Sequence, residues 1–281
     1  MGSFDLASFM TNTAVLAAIL ILAAMGGLTS ERSGVMNIGL EGKMLGASCV
    51  VAIIAAKTGN AWIGLGAGIL TAVALSMLHG LLTQAYRLDH IISGMAINLI
   101  AVGGTKFMYG KLADSSARSG FPSLPANFYE AVAITIAVSL AIYIARFKGG
   151  LRLLAVGNDP DKSRQVGLNP VSIRYTSLVA TGVFCGLSGA LIVTNAGGFT
   201  DNMTAGKGFI ALAALILGGW RPIPVLIACI TFGLIDAAQL QFQGVAKIPS
   251  EAWNAMPYLI TLVAIAVMNS RNRAPAGLGR A

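Results

Sequence analysis

The sequence predicts an all-α membrane protein, a polytopic bundle of transmembrane helices. Hydrophobic residues make up 56% of the 281-residue chain and charged residues only 11%, against about 25% charged residues in soluble domains. So few charges cannot cover a water-exposed surface, and lipid is therefore expected around most of the chain. The helices themselves are indicated by long charge-free stretches, because crossing a bilayer core of about 30 Å takes about 20 apolar residues.

Apolar segments follow one another along the whole chain. The runs free of Asp, Glu, Lys and Arg that are long enough outright are 6–30, 58–86, 175–200 and 252–270. Shorter apolar runs, each bounded by a charge or a proline, are 38–56, 91–108, 128–145, 208–220 and 222–241. We therefore expect about nine crossings, within a single transmembrane domain that covers residues 1–281.

The basic residues predict the orientation of the bundle. Lys and Arg are concentrated in the longest polar loop, 146–174, and in the C-terminal tail. Because cytoplasmic loops are enriched in Lys and Arg, both segments are expected in the cytoplasm and the N-terminus outside. The net charge of +8 then reflects membrane orientation, and it predicts no nucleic-acid partner.

Polar and glycine residues interrupt the apolar pattern in two places, over 29–43 and 195–208. The two interruptions occupy corresponding positions in the two halves of the chain, and they are expected near opposite faces of the membrane. Transporters built from inverted repeats place their binding site between broken helices of this kind. The pattern therefore favours an inverted repeat with interrupted helices, although the sequences of the two halves are only weakly similar.

Polar residues in or beside the crossings are the candidate lining of a solute pathway. A charge at mid-bilayer costs about 2.5–3.5 kcal/mol on insertion scales, so it normally faces a partner or a wet cavity. The candidates are Asn37, Glu41, Asn98, Asn202 and Asp236. Structural roles remain open for each: the asparagines could join helices, Glu41 could lie at the inner headgroups, and Asp236 could make an interhelical hydrogen bond.

The long loop contains a compact helix signal over residues 157–167, Gly-Asn-Asp-Pro-Asp-Lys-Ser-Arg-Gln-Val-Gly. Asp159 suits an N-cap, Pro160 the first helical position and Gly167 the C-terminal cap. The predicted helix, 159–167, presents Lys162 and Arg164 to the cytoplasm. It could rest on the membrane surface or dock a cytoplasmic partner.

Small residues recur four apart at Gly64 and Gly68 and at Gly182 and Gly186, which predicts close helix packing. Catalytic chemistry has little support. The Gly-Lys pairs at 42–43 and 206–207 lack the surroundings of a phosphate-binding loop. The two histidines and three cysteines fall in no catalytic or metal-binding motif. No enzyme activity, cofactor or metal is expected.

Three motifs give the chain a family resemblance. Residues 31–42, Glu-Arg-Ser-Gly-Val-Met-Asn-Ile-Gly-Leu-Glu-Gly, resemble the signature of ABC-importer permeases of the branched-chain amino acid and simple-sugar superfamily. Residues 157–167 resemble the cytoplasmic coupling region of those permeases. Residues 199–213, Phe-Thr-Asp-Asn-Met-Thr-Ala-Gly-Lys-Gly-Phe-Ile-Ala-Leu-Ala, are similar to the second permease subunit of nucleoside importers that use a basic-membrane-protein-type receptor. The resemblance extends from about residue 26 to about residue 240.

The resemblance implies an importer of small polar solutes, with a nucleoside as the expected class and a simple sugar as an alternative. Its implied partners are an ABC ATPase that binds ATP and magnesium, a second homologous permease and an external substrate-binding protein, in the bilayer of a bacterial inner membrane. It also implies that Asp159, Pro160, Lys162, Arg164 and Gly167 transmit ATP-driven movement to the bundle. Permeases of this family often have a tenth crossing, which the sequence does not reveal.

Two other classes of protein remain as alternatives at this stage. A secondary transporter would use an ion gradient, with Glu41 and Asp236 as the ion-binding carboxylates. A membrane scaffold would transport nothing, and the polar breaks inside the helices argue against it. An ATPase that copurifies with the chain would separate the importer from both.

Overall fold

The computed structural model describes residues 5–112, 120–242, 259 and 274–280. Within these ranges the chain is helical and forms no strand. A π-helical turn, Leu81–Ala85, extends the third helix. The helices are α1 (Leu6–Arg32), α2 (Leu40–Thr58), α3 (Ala61–Gly80), α4 (His90–Leu112), α5 (Ala126–Arg146), α6 (Lys148–Asn158), α7 (Pro160–Gln165), α8 (Pro170–Ala196), α9 (Lys207–Leu217) and α10 (Pro222–Phe242).

Within the part of the chain that the structure describes, six helices are long and apolar enough to cross a membrane: α1, α3 with its π-helical turn, α4, α5, α8 and α10. The prediction of an all-α, polytopic membrane protein is therefore confirmed. The helix α2 has 19 residues, and it carries the buried Glu41 and Lys43 in its first turns. The predicted crossing at 252–270 lies outside the described residues, and the full number of crossings stays a prediction.

The segment 208–220, predicted as a crossing, folds differently. It contains α9, which has only 11 residues and is about 16 Å long, roughly half the thickness of a bilayer core. Gly218 caps the helix, and Trp220 adopts a positive φ of 54°. The chain therefore turns before it has crossed, and Pro222 begins α10.

The centre of the bundle is formed by α1 and α8, which are the most deeply buried of the six long helices. The predicted glycine packing is present on α8. A Cβ atom added at Gly182 would lie 2.5 Å from the Cα of Val73, and one added at Gly186 would lie 2.6 Å from the Cα of Ile69. The backbones of α3 and α8 are therefore in direct contact, as small residues allow.

Buried hydroxyl groups add hydrogen bonds between these helices. Thr181 on α8 donates to the carbonyl of Gly26 on α1 at 2.7 Å, and Ser188 donates to the carbonyl of Ile19 at 2.8 Å. Ser48 on α2 donates to the carbonyl of Gly189 at 2.8 Å. The bilayer core provides no water to these hydroxyl groups, so they form hydrogen bonds with neighbouring helices instead. The hydrogen bonds hold α1, α2 and α8 together as one unit.

Candidate functional site

The first break, defined as residues 33–39, connects α1 to α2 without helical structure in most of its length. Asn37 is fully buried there. Its side-chain amide donates to the hydroxyl of Ser30 at 3.1 Å, and its side-chain carbonyl accepts a hydrogen bond from the ammonium of Lys43 at 2.6 Å. Asn37 therefore joins the end of α1 to the start of α2, and it also gives a partner to a fully buried cation.

The second break, defined as residues 197–206, separates α8 from α9. Its last residue, Gly206, has a φ of 84°, a left-handed conformation that glycine adopts without steric cost. The first backbone N–H groups of a helix have no partner within the helix. At the N-terminus of α9, a side chain from elsewhere in the bundle accepts hydrogen bonds from these N–H groups.

That side chain is Glu41, which is only 6% exposed. Its carboxylate accepts the N–H of Gly206 at 2.8 Å and the N–H of Gly208 at 2.6 Å. A carboxylate at a helix N-terminus also interacts favourably with the helix dipole. Since Glu41 follows directly on the first break, this contact, the Glu41 junction, brings the two breaks together.

The Glu41 junction is closely packed as well as hydrogen-bonded. A Cβ atom added at Gly208 would lie 2.6 Å from the backbone nitrogen of Glu41. Irregular backbone at membrane depth is tolerated where it is buried in protein or lines a cavity. The junction therefore satisfies polar backbone groups that uninterrupted helices would pair internally, and it packs the start of α2 directly against the start of α9.

Asn98 on α4 lies beside the same junction. Its side-chain carbonyl accepts the N–H of Gly42 at 2.8 Å, and its amide donates to the carbonyl of Ile38 at 3.1 Å. A Cβ atom added at Gly42 would lie 2.8 Å from the Cα of Asn98. Asn98 thus fixes the start of α2 against α4.

Replacing Asn98 with Leu is expected to destabilise the protein by about 2 kcal/mol, because two buried backbone groups lose their partners. Thermal unfolding in detergent measures the effect. Asn60→Leu is the control. Asn60 is the exposed N-cap of α3, so this variant loses only an exposed cap and should cost about 1 kcal/mol. Equal losses at both positions would contradict the role assigned to Asn98.

The other two predicted pathway residues lie apart from these hydrogen bonds. Asn202 is exposed within the second break, where it has a φ of 55° and its carbonyl accepts the N–H of Ala205 at 3.0 Å. Asp236 is buried on α10, and it interacts electrostatically with Lys207, the first residue of α9. The structure therefore groups Asn37, Glu41 and Asn98 around the start of α2.

A cavity of about 340 Å³ lies between the end of α1, the first break and α9. Its volume falls in the range of small-molecule sites. Glu31 and Trp220 face each other on its wall, and the Trp220 indole donates to the Glu31 carboxylate at 2.5 Å. The remaining lining residues are apolar: Met36, Ile38, Phe209, Leu212, Ala213, Ile216 and Leu278.

Sequence reasoning did not select Glu31 or Trp220 as site residues. The available signals were an acidic residue at the end of an apolar run and a tryptophan in a Gly-Gly-Trp-Arg-Pro turn. Neither signal reveals that two segments almost two hundred residues apart meet. The described lining of the cavity contains none of the five predicted pathway residues.

The predicted cytoplasmic helix is α7, which covers Pro160–Gln165. Asp159 is its N-cap and accepts the N–H of Lys162 at 2.9 Å, and this hydrogen bond holds the pKa of the carboxyl below its usual range. The cap therefore stays ionised over the physiological pH range, and its contribution is lost only as the pH falls through the lowered pKa. Arg164 pairs with Asp161 at 2.8 Å, and Gly167, beyond the helix end, has a φ of 82°.

The predicted loop 146–174 also contains α6, which the sequence analysis missed. The helix begins with Lys148, Gly149 and Gly150, and glycines lower helix propensity. In the structure these glycines pack against Tyr143 at the end of α5: a Cβ atom at Gly150 would collide with the Tyr143 carbonyl. Tertiary contact therefore overrides local propensity, and α6 leads directly into α7.

Broken helices that meet inside a bundle of membrane-spanning helices are typical of transport proteins. Comparison with known proteins agrees with this class. The chain belongs to the family described as "Branched-chain amino acid transport system / permease component", whose model matches residues 9–265. It is therefore the non-catalytic transport subunit of an ABC importer, which works with an ATPase and a binding protein.

Individual relatives cover most of the chain. The guanosine ABC transporter permease protein NupQ of Bacillus subtilis is 36% identical over 300 residues, which covers 95% of this chain and 93% of NupQ. The permease protein TsgC13 of Haloferax volcanii, whose name carries glucose as a provisional assignment, is 32% identical and covers 85% of this chain and 79% of TsgC13. PsaBC from Streptococcus pneumoniae shares the fold, with a TM-score of 0.56 at 12% identity over 96% of this chain and 93% of that chain.

Within the described residues, no group of three or more His, Cys, Asp or Glu side chains could hold a metal ion. The expected division of labour, with ATP and magnesium on the partner ATPase, fits a family of permease components. The three cysteines are buried and free.

Proposed function

We propose that this permease imports a nucleoside, and that the solute passes beside the Glu41 junction. The observation that carries the proposal is the pair of hydrogen bonds, at 2.8 Å and 2.6 Å, by which the carboxylate of Glu41 joins the two breaks. Movement of α9 relative to α2 would change the shape of the bundle at this one place. The relative NupQ, named as a guanosine transporter permease, supports a nucleoside as the solute.

The proposed orientation in the membrane is supported by the distribution of basic residues and the order of the helices. The segment that contains α6 and α7, with its exposed Lys162 and Arg164, faces the cytoplasm, since Lys and Arg favour that side. The N-terminus then lies outside a bacterial cytoplasmic membrane. The two breaks enter the bundle from opposite ends, the first after α1 and the second after α8, which supports the inverted-repeat arrangement.

The partners divide the work of transport. A second, homologous permease completes the pathway, an external protein delivers the nucleoside, and ATPase subunits dock on α7. In this scheme Asp159 and Pro160 fix the start of α7, and Lys162 and Arg164 present its charged side to the ATPase. Gly167 ends the helix and redirects the chain into α8, so a displacement of α7 reaches the central helix of the bundle.

Replacing Asp159 and Arg164 together with alanine is expected to uncouple transport from ATP hydrolysis. The N-cap and the exposed charge of α7 are lost, while the bundle contacts are unchanged. Uptake into liposomes by the reconstituted importer should fall at least about tenfold, while the ATPase remains active. Arg152→Ala, an exposed basic residue on α6, is the matched control and should leave uptake near the wild-type rate; unchanged uptake in the double variant would refute the coupling role.

A sugar is the second candidate solute, because TsgC13 carries a glucose assignment. Equilibrium binding to the external receptor separates the two classes. Guanosine and glucose are each titrated into the purified receptor, and each is then tested for ATP-dependent uptake. The proposal expects binding and uptake of guanosine without glucose, and the reverse result would assign the permease to sugars.

An ion-driven mechanism receives no support from the carboxylates proposed for it. Glu41 already accepts two backbone N–H groups at 2.8 Å and 2.6 Å, one on each carboxylate oxygen, so a transported cation would compete with these donors for the carboxylate. Asp236 is buried on α10 and lies within electrostatic range of Lys207 at the start of α9. The two backbone hydrogen bonds favour a structural role for Glu41.

A further inference from the structure

The C-terminal segment, defined as residues 274–280, lies across the ends of three other segments of the chain. The N–H of Gly277 donates to the carbonyl of Gly157 at 2.9 Å, and the N–H of Gly279 donates to the carbonyl of Gly34 at 2.9 Å. Gly157 is the penultimate residue of α6, two positions before Asp159, the N-cap of α7. Gly34 belongs to the first break. The C-terminal segment therefore connects the start of α7 to the first break.

Three glycines from distant parts of the sequence make this contact possible. A Cβ atom at Gly277 would lie 2.8 Å from the Gly157 carbonyl oxygen and 3.2 Å from Cδ of Pro160, the first residue of α7. A Cβ atom at Gly34 would lie 3.1 Å from the Gly277 carbonyl oxygen, and one at Gly157 would collide with the carbonyl of Arg32. Backbone touches backbone at all three positions. A shift of one segment would therefore move the next one directly, because no flexible side chain lies between them to absorb it.

Arg174, in the first turns of α8, fixes the other end of the segment. Its side chain is 1% exposed. One Nη donates to the carbonyl of Arg280 at 2.6 Å, the other donates to the side chain of Gln84 at 2.7 Å, and Nε donates to the carbonyl of Ser33 at 3.3 Å. A guanidinium presents several donors in a rigid plane. Arg174 therefore holds the C-terminal segment, the first break and the end of α3 in one geometry.

The segment also reaches the cavity. Leu278 lies on the cavity wall with Glu31 and Trp220. Arg32, next to Glu31, donates to the carbonyl of Trp220 at 2.6 Å. A shift of the C-terminal segment would therefore move one wall of the cavity and the start of the first break together.

We propose that the C-terminal segment is a positioning element that transmits movement of α7 to the first break and to the wall of the cavity. The inference rests on the proposed function, because it presumes that the ATPase moves α7. It assigns the transmission to backbone contacts at Gly277 and Gly279 and to the Arg174 clamp, in addition to the direct chain connection from α7 into α8. Without these contacts α7 would still bind the ATPase, and ATP hydrolysis would no longer drive uptake efficiently.

The test is the ratio of nucleoside uptake to ATP hydrolysis in the complete importer, reconstituted in liposomes with its ATPase, second permease and receptor. Gly277→Ala places a methyl group against Gly157 and Pro160, and it is expected to lower the ratio by about fivefold, within the range that variants along a coupling network produce. Ala276→Ser, which adds one atom at the exposed neighbouring residue, should leave the ratio unchanged. A purely structural role would lower the amount of assembled importer and reduce uptake and hydrolysis in proportion.

A second variant, a chain that ends at residue 273, removes the segment without introducing a clash. The proposal expects it to assemble with the ATPase and to show the same fall in the ratio. An unchanged ratio in both variants, a proportional loss of both activities, or failure of the shortened chain to assemble would overturn the proposal. Failure of the proposed function is distinct: the wild-type importer would then show no ATP-dependent uptake, or the Asp159 and Arg164 double variant would transport normally.

Discussion

Replacing Glu41 with alanine is expected to cause the largest loss of function of any single polar substitution in the bundle. Two buried backbone N–H groups, those of Gly206 and Gly208, lose a charged acceptor, at a cost of about 3 kcal/mol. Among the described residues, the Glu41 carboxylate joins the N-terminus of α9 to α2 through these two hydrogen bonds. Uptake should fall at least about tenfold, and thermal unfolding in detergent should shift to lower temperature.

Two further variants define what the Glu41 result means. Glu41→Gln keeps one acceptor oxygen and should lose about half as much stability. Glu130→Gln makes the same change at a partly exposed site on α5 and should be close to neutral. If Glu41 were instead an ion carrier, Glu41→Gln would abolish ion dependence and leave the unfolding temperature unchanged.

Replacing Gly182 with leucine is expected to disrupt the bundle itself. The added Cβ would lie 2.5 Å from the Cα of Val73, so α3 would have to move as a whole. Overpacking typically costs 1–3 kcal/mol, and a clash with backbone rather than with a flexible side chain should exceed about 3 kcal/mol. The yield of folded protein and its unfolding temperature in detergent measure the loss.

Gly103→Leu is the matched control for this packing prediction. Gly103 lies on α4, and no atom lies within 4 Å of the position where its Cβ would be. Leucine is also a better helix former than glycine by up to about 1 kcal/mol, so this variant should be neutral or slightly stabilised. Comparable losses at Gly182 and Gly103 would mean that leucine in a membrane helix, rather than the contact with α3, causes the damage.

The fold was largely predictable because a bilayer imposes simple requirements. Apolar runs such as 6–30 and 175–200 must be helical to satisfy their backbone in lipid; α1 covers the first run, and α8 covers the second as far as Ala196. The segment 208–220 has the same composition, yet it holds only α9. Whether such a run crosses the membrane depends on where its helix ends. Here the helix ends at the turn formed by Gly218 and Trp220, and hydropathy does not predict that turn.

The candidate site was predictable in part. The polar breaks indicated Asn37 and Glu41, because buried polar groups are costly and so are rarely incidental. The partner of each was not predictable: Glu41 binds the N–H groups of Gly206 and Gly208, more than 160 positions away. A hydrogen bond to a backbone group does not depend on the residue type of the partner, so the sequence does not reveal it. The same reason hides the contact of Gly277 with Gly157, since any residue supplies an N–H and a carbonyl.

The most direct test of the account is uptake of labelled guanosine into liposomes that contain the complete importer and have no ion gradient. An ATP-driven importer should show uptake that requires ATP and the external receptor, persists when ionophores collapse all gradients, and is lost in the Asp159 and Arg164 double variant. Uptake that ignores ATP and disappears with the ion gradient would contradict the importer mechanism, and it would return Glu41 and Asp236 to the role of ion-binding carboxylates.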